Sequence, residues 1–236
     1  MSAKNERPRM SGLFITGSGT EIGKTFVTCA LIHQLRRDGR KLRALKPVIS
    51  GYDAAKPGAS DSGRILAALG ELVNDATIAR ISPWRYLMPV APNMAAKREG
   101  HPVHLPELVT FCRDTMDKAD AITLIEGVGG VMAPVTDEET VLDWMAALAC
   151  PAVLVTGSYL GAISHTLTAA TAMDMRGIDL AGVVVSESLT NPVPLRETTE
   201  SIARLLPNQP VIALPRLTSF TEAPDLTPLL RDHADA

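Results

Sequence analysis

An apolar run, Leu13-Phe14-Ile15, breaks into Gly17-Ser18-Gly19-Thr20-Glu21-Ile22-Gly23-Lys24-Thr25 and resumes with helical spacing at Val27, Leu31, Ile32 and Leu35. That order predicts a buried strand, a glycine turn and a helix over 26–37, closed by Arg36-Arg37-Asp38-Gly39. A strand that stops in glycines and restarts as a helix leaves backbone N–H groups free at the helix start, where they can surround phosphate oxygens. Gly-Lys-Thr at the end of the turn favours this reading over a merely tight connection. Lys24 would bring a positive charge to the outer phosphates, and the Thr25 hydroxyl would bind the magnesium ion that accompanies a nucleoside triphosphate. The loop departs from the strict pattern: Ser18 stands at the usual first glycine, and Gly17 opens a loop one residue longer.

Further apolar runs follow. A second strand is expected over 42–48, leading through Lys46-Pro47-Val48-Ile49-Ser50-Gly51, then a polar stretch and a helix carrying Ile65, Leu66 and Leu69 that begins near Asp61. Residues 81–104 hold Pro83, Pro89, Pro92 and Pro102, which predicts an extended excursion with at most one short helix over 95–99. Helices are expected over 105–118, 141–148, 164–175 and 196–205, and strands over 121–125, 152–156, 180–185 and 211–214. Strands that alternate with helices and are apolar almost throughout predict a mostly parallel central sheet covered on both faces, a three-layer α/β/α fold of the P-loop NTPase kind. In such sheets ligands collect beyond the carboxyl ends of the strands, which is where the polar residues of this chain cluster.

With 236 residues the chain has enough length for one sizeable core, so a single domain over 12–236 is expected, preceded by a disordered polar extension over 1–11. That extension has Lys4, Arg7 and Arg9 but no apolar core, and no apolar run approaches the roughly 18 residues that cross a bilayer, so a soluble cytoplasmic protein is expected. A formal charge of -3 argues against nucleic acid as partner. Cys29, Cys112 and Cys150 lack C-x-x-C spacing and read as buried reduced thiols, and His33, His101, His104 and His233 show no metal-ligand spacing.

Three charged residues close apolar runs or open helices. Glu126 ends a strand before Gly127-Val128-Gly129-Gly130, and its place before glycines favours a metal or phosphate site over a surface ion pair. Asp61 reads equally as a second oxygen ligand or as an ordinary helix cap worth about 1 kcal/mol. Lys46 is either a second cation facing the phosphate loop or a snorkelling lysine at the sheet rim, and residue type alone favours the latter.

Taken together, G-S-G-T-E-I-G-K-T, K-P-V-I-S-G, the acid in A-S-D-S, I-E-G-V-G-G, L-G-A-I-S-H and L-P-R-L resemble the dethiobiotin synthetase family over nearly the whole chain. The resemblance implies an ATP-dependent cyclo-ligase that takes 7,8-diaminopelargonate, CO2 and Mg-ATP through a carbamate and its phosphorylated form to dethiobiotin, ADP and phosphate. It implies that Lys24 and Lys46 stabilise the transferring phosphoryl group and that Thr25, Asp61 and Glu126 hold Mg2+. Thr20 and Ser50 would face the diamine or its carbamate, while Glu21, Ile22, Gly23, Lys24 and Thr25, with Glu126, Gly127, Val128 and Gly129, would line the phosphates. The family's homodimer implies that Gly161, Ala162, Ile163 and Ser164 present backbone donors to the substrate carboxylate of a neighbouring subunit, with His165 beside them in a packing or capping role. Pro215, Arg216, Leu217 and Glu222 fall on the nucleotide side, Arg216 replacing a usual aromatic. Ser186 and Glu187 stand where members carry an Asn-Asp pair that reads adenine, which leaves base selectivity open.

Three other readings share the loop. A glutamine-dependent synthase of cobalamin synthesis needs a further glutaminase domain. A partitioning or positioning ATPase carries an early second lysine where Ser18 and Gly19 stand here, and a membrane-binding tail not expected in this chain. A nucleotide sensor would use the same motifs without chemistry.

Overall fold

A computed structural model describes residues 12–118 and 121–230. The extension expected over 1–11 lies outside the described residues. In chain order the elements are β1 (Gly12–Gly17), α1 (Lys24–Arg37), β2 (Leu42–Leu45), β3 (Val48–Ser50), α2 (Asp61–Leu69), α3 (Asp75–Ile81), β4 (Trp84–Tyr86) and α4 (Pro92–Glu99). They continue as α5 (Leu105–Met116), β5 (Ile122–Glu126), α6 (Val141–Leu148), β6 (Ala152–Gly157), α7 (Ala162–Met175), β7 (Leu180–Ser186), α8 (Leu195–Leu205) and β8 (Val211–Leu214).

Six strands form a parallel sheet in the order β2-β5-β1-β6-β7-β8. Every residue of β1, β5 and β6 is buried, as strands covered on both faces require. Helices complete the outer layers: α1 packs on β1, β2 and β5, α7 on β6 and β7, and α8 on β7 and β8. Beneath the loop, Phe14 meets Trp144 of α6 edge to face, with ring centroids 4.9 Å apart. The chain leaves β1 toward β2 on one side and later returns to β6 on the other, so the carboxyl end of β1 is where the strand order reverses and a crevice opens.

The expected strand over 42–48 is two strands. Pro47 has no N–H for the ladder, and the chain swings out at Lys46, whose N–H donates to the Ile81 carbonyl at 3.1 Å. Beyond it β3 pairs with β4 in a separate two-stranded parallel sheet. The proline-rich excursion thus contains a short strand, and its helix starts earlier than expected, at Pro92, where a missing N–H costs a helix nothing. The expected elements also omit α3, whose signal was a capping box between Asn74 and Thr77. Cys29, Cys112 and Cys150 are buried and free of disulfides, and burial raises all three thiol pKa values, which makes them poor nucleophiles. Among the described residues no helix is long and apolar enough to cross a membrane.

Candidate active site at the carboxyl end of the sheet

The phosphate loop is held open by its neighbours. The Val131 N–H donates to the Gly17 carbonyl at 2.8 Å, the Ser18 N–H donates to the Val155 carbonyl at 2.9 Å, and the Ser18 and Thr156 hydroxyls are 2.9 Å apart. Gly23 turns into α1 at a φ of 96°, and a Cβ there would lie 2.8 Å from the Ser186 Oγ, so only glycine fits. Glu21 also has a positive φ, 57°, a conformation uncommon for non-glycine residues. No side chain caps the start of α1 and no acid stands in its first turn, leaving its N–H groups available to an anion.

Lys24 folds back so that its Nζ donates to the Gly19 carbonyl at 2.9 Å. Burial, and then the nearby Lys46, lower its pKa to about 8 against the opposing pull of Glu126 and Asp61. A lysine held below its ordinary value disfavours the ligand-free fold at pH below 8, and that penalty fades as pH rises toward the ordinary lysine value. Triphosphate binding should restore the proton. Calorimetric titration with ATP in two buffers of different ionisation enthalpy is expected to show proton uptake near pH 8.5 that vanishes by about pH 6.5, with affinity falling up to about tenfold per pH unit above 8.

Beside the loop lies a buried charge cluster. Glu126 is wholly buried: its Oε1 accepts from Lys46 Nζ and Thr25 Oγ1, both at 2.8 Å, and its Oε2 accepts from Thr28 Oγ1 at 2.7 Å. The Lys46 Nζ also donates to the Gly127 carbonyl at 2.7 Å and lies 3.4 Å from Asp61 Oδ2. Lys46 is only 3% exposed, so it does not snorkel at the rim, and Glu126 is no surface ion pair. Burial alone would pull the Lys46 pKa down, but Glu126 and Asp61 outweigh it and hold the ammonium charged. The charge on Lys46 overrides the partial burial of Asp61 and keeps its pKa below the usual value. Asp61 is not the helix cap either, because Ser60 takes that place and its Oγ accepts the Gly63 N–H at 3.0 Å.

Two adjoining cavities of about 690 Å³ each meet at Thr20, Glu21, Ile22, Gly23 and Phe26. One is lined by Lys24, Thr25, Lys46, Ser50, Asp61, Glu126, Val128 and Gly129, and within it the buried Ser50 Oγ has no hydrogen-bond partner among the described residues. Buried hydroxyls without partners are uncommon, and one facing a cavity is placed to meet a ligand. The other is lined by Ser186, Glu187, Pro215, Arg216 and Leu217, with Tyr159 and His165 across from them. There Glu187 ties β7 to β8, its Oε2 accepting the Arg216 N–H at 2.8 Å and its Oε1 an amide N–H of Asn191 at 3.3 Å. Glu222 lines neither cavity, and nor do Gly161, Ala162 and Ser164. His165 does not cap α7; it is exposed, its ring lies against that of Tyr159 with centroids 5.7 Å apart, and its Nδ1 is 2.9 Å from the Tyr159 hydroxyl. Sequence reasoning passed over Thr28, one helical turn from Thr25, and Arg64, one turn from Asp61. The i, i+3 spacing was the available signal in both cases.

Thr25, Asp61 and Glu126 offer one hydroxyl and two carboxylates, hard oxygen donors of the kind magnesium takes when phosphate oxygens and water complete its shell. Among the described residues no group of three or more His, Cys, Asp or Glu side chains could hold a metal by itself.

A parallel sheet with a glycine-rich loop at its switch point, an uncapped helix behind the loop and an acid closing the neighbouring strand define a P-loop protein of the nucleoside-triphosphate-binding class. Solved structures agree on the fold. The MinC:MinD cell division complex of Aquifex aeolicus superposes with a TM-score of 0.53 at 14% identity, covering 88% of this chain and 82% of that one. A ParA family ATPase of Chlorobium tepidum gives 0.50 at 13% identity, over 87% of this chain and 85% of that one. A family model described as an AAA domain matches residues 11–226. The chain is 48% identical over 198 residues to the ATP-dependent dethiobiotin synthetase of Acidiphilium cryptum, covering 84% of this chain and 89% of that protein. It is 50% identical over 201 residues to that of Methylobacterium nodulans, covering 83% and 89%. The chain belongs to the dethiobiotin synthetase family.

Proposed function

We propose that this protein is an ATP-dependent cyclo-ligase of biotin biosynthesis that converts 7,8-diaminopelargonate and CO2 to dethiobiotin with release of ADP and phosphate. The observation that carries this reading is the placement of Lys46, a second buried cation, at the phosphate loop beside Thr25, Asp61 and Glu126. Simple phosphate binding needs only the loop and Lys24. A reaction in which charge builds up on a carbamate and on a moving phosphoryl group calls for a further cation between them.

One amine of the diamine attacks CO2 and loses a proton, giving a carbamate. A carbamate oxygen then attacks the γ-phosphorus of ATP, and ADP leaves. The second amine attacks the carbamoyl carbon, gives up a proton and expels phosphate as the ureido ring closes. Ser50 and Thr20 face the diamine and its carbamate, and the unpartnered Ser50 hydroxyl supports that role. Lys24 and Lys46 oppose the developing negative charge. Because the acids around it keep Lys46 charged, it acts as an electrostatic stabiliser and not as a base. Mg2+, held by Thr25, Asp61 and Glu126, would supply a divalent charge to the outer phosphates when bound. Glu21 to Thr25 and Gly127, Val128 and Gly129 receive the phosphates, and Ser186, Glu187, Pro215, Arg216 and Leu217 the base.

The active form is taken to be a homodimer. At the start of α7 no side chain caps the helix, Gly161 and Ser164 are exposed, and Gly161, Ala162 and Ser164 line neither cavity. That position supports service to a neighbour's substrate carboxylate.

Purified protein given Mg-ATP and bicarbonate is expected to release phosphate only when the diamine is added. Phosphate release that ignores the diamine would overturn the assignment in favour of a switch ATPase.

A further inference from the structure

Three cations line the cavity on the Lys46 side, and they differ in how their donors are used. An ammonium has three N–H groups. Those of Lys46 face three acceptors, Glu126 Oε1 at 2.8 Å, the Gly127 carbonyl at 2.7 Å and Asp61 Oδ2 at 3.4 Å. Lys24 is folded onto the Gly19 carbonyl. Arg64 carries five N–H donors on a planar, permanently charged group, yet its guanidinium makes no hydrogen bond or ion pair with any described residue.

Its position is set by packing. Gly63 lies so close to the preceding turn that a Cβ there would come within 2.1 Å of the Pro57 carbonyl, which fixes how α2 is rotated. That rotation turns Asp61 and Arg64, three residues apart and therefore on one face, toward the same cavity. Helix α2 packs against α1, and Arg64 lines the same cavity as Lys24 and Thr25 at the start of α1.

We propose that Arg64 is a phosphate-binding residue of this site, its guanidinium donating to non-bridging oxygens of the bound triphosphate. The inference rests on the reading of the cavity as a triphosphate site. A triphosphate arrives with more negative charge than Lys24 and an accompanying Mg2+ together balance while Lys46 remains engaged by two carboxylates. Arg64 is the lining cation whose donors are all available, and a planar fork suits phosphate geometry. Because its side chain is exposed, replacing it should leave the fold intact.

The test compares wild type, Arg64→Ala and Arg64→Lys by direct ATP titration and by steady-state kinetics with the diamine. Arg64→Ala is expected to weaken ATP binding and raise the KM for ATP about tenfold, with the KM for the diamine unchanged. Arg64→Lys should recover part of the loss by keeping the charge without the fork. Unchanged ATP titration in Arg64→Ala, with wild type active, would overturn the inference and leave the ligase reading standing. A rise confined to the diamine KM would also overturn it, assigning Arg64 to the substrate carboxylate. A wild-type protein that binds no triphosphate would end both readings.

Discussion

Lys46→Ala is expected to lower turnover roughly 10³-fold, the scale set by removing a positioned cation or oxyanion donor from a transferring group. ATP should still bind, because the loop backbone and Lys24 do not depend on Lys46. The same change should also destabilise the protein, by roughly 3–5 kcal/mol, since it leaves Glu126 wholly buried without its cation. These two losses are separable. In Lys46→Met/Glu126→Gln both charges are gone, so most of the stability should return while turnover stays lost. Thermal unfolding and single-turnover phosphate release on the same preparations check both parts. A Lys46→Ala enzyme with wild-type rates would refute the catalytic role.

Glu126→Gln should be nearly as severe for activity, roughly 10²- to 10³-fold, since one carboxylate holds Lys46, Thr25 and Thr28 and is a candidate magnesium ligand. Its effect on pH dependence has a definite sign. In wild type the Lys46 pKa is raised, so its contribution to stability is present below the ordinary lysine value and lost only as pH rises through the higher folded value. The Asp61 pKa is lowered, so its contribution is present above the ordinary carboxylate value and lost as pH falls through the lower folded one. Wild-type stability from this cluster is therefore flat across neutral pH. Without the Glu126 charge the burial of Lys46 wins and its pKa falls below the ordinary value, so Glu126→Gln should gain stability as pH is raised from 7 toward 10. Chemical denaturation at several pH values reads this directly. Because the Lys24 penalty fades over the same range in wild type, the effect is read as the difference between the two profiles, and parallel profiles would show that Asp61 alone supports the Lys46 ammonium.

Most of the central sheet was legible because strands buried on both faces are written as nearly uninterrupted apolar runs, as in Ala152-Val153-Leu154-Val155. The segment after β2 was not. Val48 and Ile49 resume the apolar run beyond Lys46 and read as its continuation, but Pro47 cannot donate to the ladder, so the strand breaks there and β3 finds β4, a partner set by tertiary structure. The short elements α3 and β4 escaped for a related reason: few residues carry too little period to stand out.

The sequence by itself determined the phosphate loop, since strand, glycines, Lys24 and Thr25 are contiguous and their chemistry depends on neighbours along the chain. It also marked Glu126 as a charge that closes an apolar strand. Tertiary structure decided what Lys46 and Asp61 are, because a snorkelling lysine looks identical in sequence to the buried partner of Glu126, and a helix-capping aspartate to the second acid of Lys46. Only the pairing of β1 with β5, and of β2 with β5, brings the three strand ends together. Arg64 was decided the same way: its role follows from the rotation of α2 against the Pro57 turn, a contact between backbones that no residue type announces.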